Sequence, residues 1–493
     1  MYKWNILRCN IVPKPSLSIL ERDDIERIHE ASLYLLEEVG VFFESRRAIE
    51  IFKDEGISPE GYVVKIPRDL VESCLRSVPQ EFQLYDRDGR PYTVIGRGMV
   101  HFNPGSAATK VLDYSSLCTR PATIKDMWDF SLLADSLHAI SLQSTAIVPS
   151  EVPEELKDRV RLIPIILQSK KPIVTGAFTL DGIERMKFIL EATCGDLSKK
   201  PYAIFDVCPS PPLRWSRLTC TNLMDCASYG IPVEIIPMPQ LGATAPVTIA
   251  GALVQHHAEA LSGIVLSQLV RRGTPVIYGG SPCTLDMRYG TSAVASSEAI
   301  LLVMAYTEIA KHYGLPTHAY VALADSLLID YQAGVESAIG ALAASMIGVD
   351  VASGPGMLEY ESAQSLEKLV LDDELCSLAM RIAKGFDIDD EHLALDVINA
   401  LAREGGFLTH RHTLKHFREE IFLPRVMERP SRAIWSRKGS MTLLSRAHEV
   451  VSRVLLKHKP TPPPPDVIHE IKKRVRMVLG EVWCEQVLKF MKN

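Results

Sequence analysis

Apolar and polar positions alternate along the chain in two different rhythms. Between residues 99 and 363, short apolar runs are separated by stretches of helical spacing. The runs are "VHFNP" (100–104), "SLQSTAIVP" (141–149), "PIVTGAF" (172–178), "YAIFDVCP" (202–209), "VEIIPM" (233–238), "PVIYGG" (275–280), "THAYVA" (317–322) and "DVASGPG" (350–356). Helical patterns lie between them, at 153–170, 181–194, 216–229, 247–272, 293–313 and 330–347. Apolar runs joined by amphipathic helices predict parallel strands with crossover helices, because only a sheet covered on both faces can do without a polar side. Eight such units predict an α/β fold closed as a (β/α)8 TIM barrel. A doubly wound sheet is the alternative, but no G-x-G-x-x-G turn opens any of the helices.

Outside this span the rhythm changes. Residues 1–98 predict an N-terminal cap of helices and strands. It has a helix over 21–40 that stops at Gly40, a second over 66–79, and a hairpin over 82–96 turning at Asp88-Gly89. Residues 364–456 predict a C-terminal helical region, and residues 457–493 a proline-rich linker, "HKPTPPPPD", followed by a terminal helix. The segments 247–272, 293–313 and 330–347 are rich in Ala, Gly and Ser. Such helices pack closely on a barrel or between subunits, which predicts a homo-oligomer.

In a barrel of this kind the chemistry lies at the C-terminal ends of the strands. That rule selects Phe102, Asn103, Asp206, Tyr278, His318, Tyr320, Ser353 and Gly354 as candidate substrate-binding residues. Aromatic faces beside carboxylates suit a cation, including one with no N–H to donate. Each aromatic could equally fill the barrel core. Gly279, Gly280 and Gly356 sit at strand ends where a large flat ligand could come close, or where a turn needs them. The strand-to-helix loop "ALADSLLIDYQAG" (322–334) carries Asp325 and Asp330 and no lysine or arginine. Both are candidate catalytic residues, although Asp330 is also placed to cap the next helix.

Other chemistries find little support. No G-x-S-x-G elbow occurs. Cys208 and Cys283 with His101 or His318 could hold zinc across strands, which leaves no local spacing to read. The histidines of "THRHTLKHFREE" (409–420) lie beyond the barrel among cations and suit a surface or subunit contact. Apolar residues make up 47%, charged residues 23%, and the net charge is −6, so nothing points to nucleic acid or an anionic membrane. Ten cysteines without a CxxC pair suit reduced thiols in a cytoplasmic protein. The opening "MYKWNILRCNIVPKPSL" lacks the apolar core of a secretion signal. No apolar run reaches the ~20 residues of a membrane span.

Several longer stretches carry a resemblance. They are "LYDRDGR" (84–90), "VHFNPGSAATKVLDYSS" (100–116), "RPATIKDMWDFSLLADSL" (120–137), "PMPQLGATAPVTIAGALVQHHAEALSGIVLSQLVRRGTPVIYGG" (237–280), "DSLLIDYQAGVES" (325–337) and "FLTHRHTLKHFREEIFLPRV" (407–426). In order and nearly end to end, the chain resembles the trimethylamine methyltransferase family, specifically members without pyrrolysine that act on glycine betaine or other quaternary amines. The resemblance implies a (β/α)8 barrel that moves a methyl group to the Co(I) of a separate corrinoid protein, with no cofactor held tightly by the chain itself. In members acting on trimethylamine, pyrrolysine occupies the loop that resembles 323–331. Here that loop has neither pyrrolysine nor lysine. A quaternary ammonium needs no activating adduct, since its leaving group is already a neutral amine. Phe102, Tyr278 and Tyr320 then form an expected aromatic box, with Asp206, Asp325 and Asp330 beside it. A betaine carboxylate would be met by Arg288, His318 or backbone N–H groups at 353–356.

Overall fold

Each of the eight apolar runs contains a strand: β1 (His101–Asn103), β2 (Gln143–Ser144), β3 (Ile173–Gly176), β4 (Ala203–Val207), β5 (Val233–Ile235), β6 (Val276–Tyr278), β7 (His318–Tyr320) and β8 (Val351–Ser353). They come from a computed structural model that describes residues 15–491, so most of the opening stretch discussed above lies outside the described residues. The strands pair in parallel, in the order β6-β5-β4-β3-β2 in one sheet and β7-β8-β1 in another. Single parallel bridges link the two sheets at both margins, Phe102 to Ile140 and Tyr278 to Thr317. The fold is therefore α/β and parallel, as the alternation predicted.

Side-chain alternation divides these strands into two faces. On one face Leu142, Val174, Ile204, Ile277 and Val351 form a small buried apolar cluster. Leu84 and Ile95 complete it from the hairpin Phe82–Tyr85/Pro91–Ile95, which plugs this end. Two residues further along the same strands stand Ser144, Gly176, Asp206, Gly279 and Ser353. The inner face thus changes from apolar to polar or small within one pleat. On the opposite face Phe102, Phe205, Val233, Ile235 and Tyr278 join the large core shared with the helices. Each fully buried side chain of this size contributes about 1.5–3 kcal/mol.

The helix Ile249–Val270 is apolar nearly all round because it is covered nearly all round. It packs against Arg22–Tyr34 and Arg68–Leu75 of the N-terminal region and against Arg217–Tyr229. Gly263 is needed in it: a Cβ there would lie 2.7 Å from the Trp215 ring. Near the other terminus, Leu366–Lys384 packs against Tyr331–Ile347 and Leu443–Lys457. The proline-rich stretch does not launch a free arm. The terminal helix Pro465–Leu488 bends at Gly480, buries Ile471, Val475 and Val487, and accepts a hydrogen bond from Trp128 Nε1 at the Val487 carbonyl, 3.0 Å. Among the described residues no helix is long and apolar enough to cross a membrane.

A buried acidic site at the strand ends

Asp206 points inward from β4, two residues beyond the apolar Ile204, and accepts a hydrogen bond from the Tyr320 hydroxyl of β7 at 3.3 Å. Glu234 lies beside it on β5, in register. The two carboxyl groups are within hydrogen-bonding reach of each other. As two ionised carboxylates they could only accept, and among the described residues neither Glu234 oxygen nor Oδ1 of Asp206 has a donor. One shared proton removes that conflict. Burial, reinforced by the neighbouring Asp206, holds Glu234 well above the usual carboxylate range. Burial also raises Asp206, against the opposing effects of Glu234, Tyr320 and Arg161. At neutral pH the pair therefore carries one proton and one negative charge.

A third carboxylate joins them from the loop after β8. Glu361 accepts from Ser281 Oγ at 3.0 Å, and burial pushes its carboxyl up to about 7. Glu359, Tyr360 and Glu361 have φ of 49, 56 and 70°. Three consecutive left-handed residues that are not glycine cost about 1–2 kcal/mol each, and such strain persists where the surroundings enforce it.

The polar groups around the acids are held in place. His318 Nε2 lies 3.0 Å from Ser353 Oγ and 3.6 Å from Glu234, and Asn103 Nδ2 donates to the same Ser353 Oγ at 2.9 Å. Burial lowers His318 to about 3, so the ring is neutral. Tyr306 donates to the carbonyls of His318 and Gly280, at 2.9 and 3.1 Å, which fixes the ends of β6 and β7. The nearest cation is Arg161. Its guanidinium donates to the Thr145 and Gly176 carbonyls at 2.8 and 2.9 Å and lies 4.2 Å from the centre of the Phe178 ring. Its Nε has no partner among the described residues, and its charge draws Asp206 down without forming an ion pair with either acid. Asp206, Cys208 and Glu361 each keep part of their surface accessible. A cleft of about 710 Å³ lined by Ser292, Ser296, Asp325 and Tyr360, the neighbour of Glu361, opens nearby, with none of the three acids in its lining.

Of the residues singled out from the sequence, the fold gathers Asn103, Asp206, His318, Tyr320 and Ser353. It does not bring Phe102 or Tyr278 to this cluster. Each is one position out of phase with an inward neighbour, and both face the helix layer, where the Tyr278 hydroxyl meets His257 Nδ1 at 2.9 Å. Asp325 and Asp330 are occupied otherwise. Asp325 accepts from the Val294 and Ala295 N–H groups, both at 2.9 Å, and so ties its loop to the hairpin Cys283–Asp286/Thr291–Ala293. Asp330 caps Tyr331–Ile347, accepting from Ala333 N–H at 3.1 Å. The strand-end glycines are explained by internal packing. A Cβ would lie 2.9 Å from His318 at Gly279, 2.4 Å from His256 at Gly280, 2.1 Å from the Val321 carbonyl at Gly354 and 2.3 Å from Gln364 at Gly356. Arg288 pairs with Asp286 on the surface. His101 is engaged with Thr93 and Ser141. Among the described residues no three His, Cys, Asp or Glu side chains are grouped as a metal ion would require.

Glu234, Glu361 and Arg161 were not anticipated. Glu234 had a readable signal, a lone carboxylate inside the apolar run "IPVEIIPM". Glu361 had none, because its place depends on the strained turn. Arg161 is hidden in the helical stretch 153–170.

The parallel α/β architecture is shared with a methylamine methyltransferase of known structure. The crystal structure of the Methanosarcina barkeri monomethylamine methyltransferase (MtmB) superposes with a TM-score of 0.54 at 12% identity, over 94% of this chain and 88% of that one. The sequence then specifies the family. The trimethylamine methyltransferase (MTTB) family model matches residues 4–477, and the chain belongs to that family and is a methyltransferase. It is 32% identical to a glycine betaine methyltransferase of Desulfitobacterium hafniense (strain Y51), over 92% of this chain and 95% of that relative. It is 31% identical to trimethylamine methyltransferase MttB of Methanosarcina barkeri (strain Fusaro / DSM 804), over 92% and 94%.

Proposed function

We propose that this methyltransferase demethylates a quaternary ammonium compound of the betaine kind and delivers the methyl group to the Co(I) of a corrinoid presented by a separate protein. The observation that carries the reading is the acidic cluster of Asp206, Glu234 and Glu361 around Tyr320, whose one nearby cation, Arg161, is already bound to carbonyls. A site whose three buried acids outnumber its one cation suits a cationic ligand. The absence of lysine from 323–331 fits a substrate that needs no adduct.

The two bridged sheets are read here as one closed (β/α)8 barrel, with 1–98 as a cap, 99–363 as barrel, and 364–456 and 457–493 as helical additions. The hairpin plug at one end leaves the strand C-termini as the way in. Around that opening Met287, Tyr289, Leu327 and Tyr331 are largely exposed, which fits the approach of a flat, mostly apolar macrocycle. The corrinoid supplies the nucleophile. The chain's own part is to bind the cation through Tyr320 and the acids, exclude water, and aim one N–CH3 bond outward, where orientation alone can contribute up to ~7–11 kcal/mol. The apolar residues exposed between Phe386 and Leu423 suit contacts between copies of the chain in a homo-oligomer.

The test is to supply the purified chain with a reduced corrinoid protein and to screen quaternary, tertiary and secondary amines for methylation of cobalt. Transfer from a quaternary amine is expected. Transfer from tertiary or secondary amines alone would overturn the proposal.

A further inference from the structure

A quaternary amine brings no proton into the site, yet its product is a base. When the N–CH3 bond breaks, both bonding electrons stay on nitrogen and the methyl group leaves without them. The new lone pair points along the broken bond, toward the methylated acceptor, and is placed to take the methyl group back. A tertiary amine inverts readily, and inversion turns the lone pair inward. There it meets Asp206 and Glu234, whose geometry requires a shared proton and whose other oxygens lack donors among the described residues.

We infer that the Asp206–Glu234 pair is the proton donor of the reaction: it protonates the inverted amine product and so removes the lone pair that would reverse methyl transfer. The inference rests on the proposed quaternary-amine reaction. The step balances. The carboxyl O–H bond breaks, an N–H bond forms, the pair is left as two carboxylates facing a tertiary ammonium, and a solvent proton restores it after release. The charged or titratable groups facing the pair are Arg161, Tyr306, Tyr320, Cys208, Glu361 and His318, of which Tyr306 is raised by burial and donates to the Gly280 and His318 carbonyls. None of them substitutes. Arg161 is bound to carbonyls and His318 is neutral. Burial raises the Tyr320 hydroxyl and the Cys208 thiol far above the range in which either yields a proton. Among the described residues Glu361 is the one other acid near the pair, and its Oε1 is engaged by Ser281 Oγ.

The proton can be observed without any corrinoid. In infrared difference spectra, the wild-type enzyme is expected to lose a protonated-carboxyl C=O band when trimethylamine is bound as trimethylammonium, its N–H standing where the shared proton stood and that proton passing to solvent, and to keep the band when tetramethylammonium binds. Persistence of the band with trimethylamine bound would overturn the inference. Glu234→Gln keeps the pair's single negative charge but has no proton to give. It is expected to lose the band change and to weaken trimethylammonium about 10-fold relative to tetramethylammonium. An unchanged ratio would also overturn the inference. The two proposals fail separately: methyl transfer from quaternary amines with a persistent band removes only the proton donor, while a lost band without such transfer removes the substrate assignment.

Discussion

Among the described residues the Tyr320 hydroxyl is the one neutral donor aimed at Asp206, and removing it tests the site one atom at a time. Tyr320→Phe is expected to lower kcat/KM for the quaternary amine about 10-fold, the worth of a hydrogen bond to a charged group. Tyr278→Phe is the control. Its hydroxyl serves His257 in the helix layer, so kcat/KM should hold while the melting temperature falls. Glu361 offers a second test through pH. Its carboxyl is raised to about 7, so the folded state holds a proton that the unfolded chain gives up near pH 4. The associated stability is complete below that pH and is lost as the pH rises through about 7. Glu361→Gln cannot ionise. It should therefore be more stable than the wild type at pH 8, by about 1–3 kcal/mol, with the difference shrinking as the pH falls and vanishing only below about pH 4, as followed by denaturant titration.

At the scale of elements, the sequence was read well where period and composition decide. All eight strands fall inside the predicted runs, because parallel strands buried on both faces must be apolar and the helices between them amphipathic. That same burial hides which residue faces inward. "PVIYGG" shows no polar alternation, so Tyr278 could not be told from Gly279 in phase, whereas "VHFN" does alternate, and its polar His101 and Asn103 already marked the inward face that Phe102 does not share. The loop after β7 misled for another reason. Its two aspartates look like chemistry but satisfy backbone N–H groups, Asp330 at the start of the next helix and Asp325 at Val294 and Ala295 in another loop. Asp330→Ala is expected to destabilise the protein by about 1 kcal/mol, the usual worth of an N-cap. Asp325→Ala orphans two N–H groups and should destabilise by about 2–4 kcal/mol. Urea unfolding measures both, and tetramethylammonium affinity should survive in the Asp330 variant.

For the whole molecule, the terminal helix matters more than its place after a proline linker suggests. Its apolar side chains complete the core beside Trp128. A chain ending at Pro464 is therefore expected to melt well below the full-length protein in a thermal scan, rather than to lose oligomerisation alone. The hairpin carrying Leu84 and Ile95 has a different reach. It covers the far end of the strands, which in the proposed barrel leaves, among the described residues, one doorway for amine and acceptor alike. While the acceptor stands in that doorway the spent amine cannot get out, so departure must run in a fixed queue, methylated acceptor first and amine last. Product-inhibition patterns should show the tertiary amine competing with the quaternary amine for the empty enzyme, and the last molecule out must then be the same one that the next substrate has to replace.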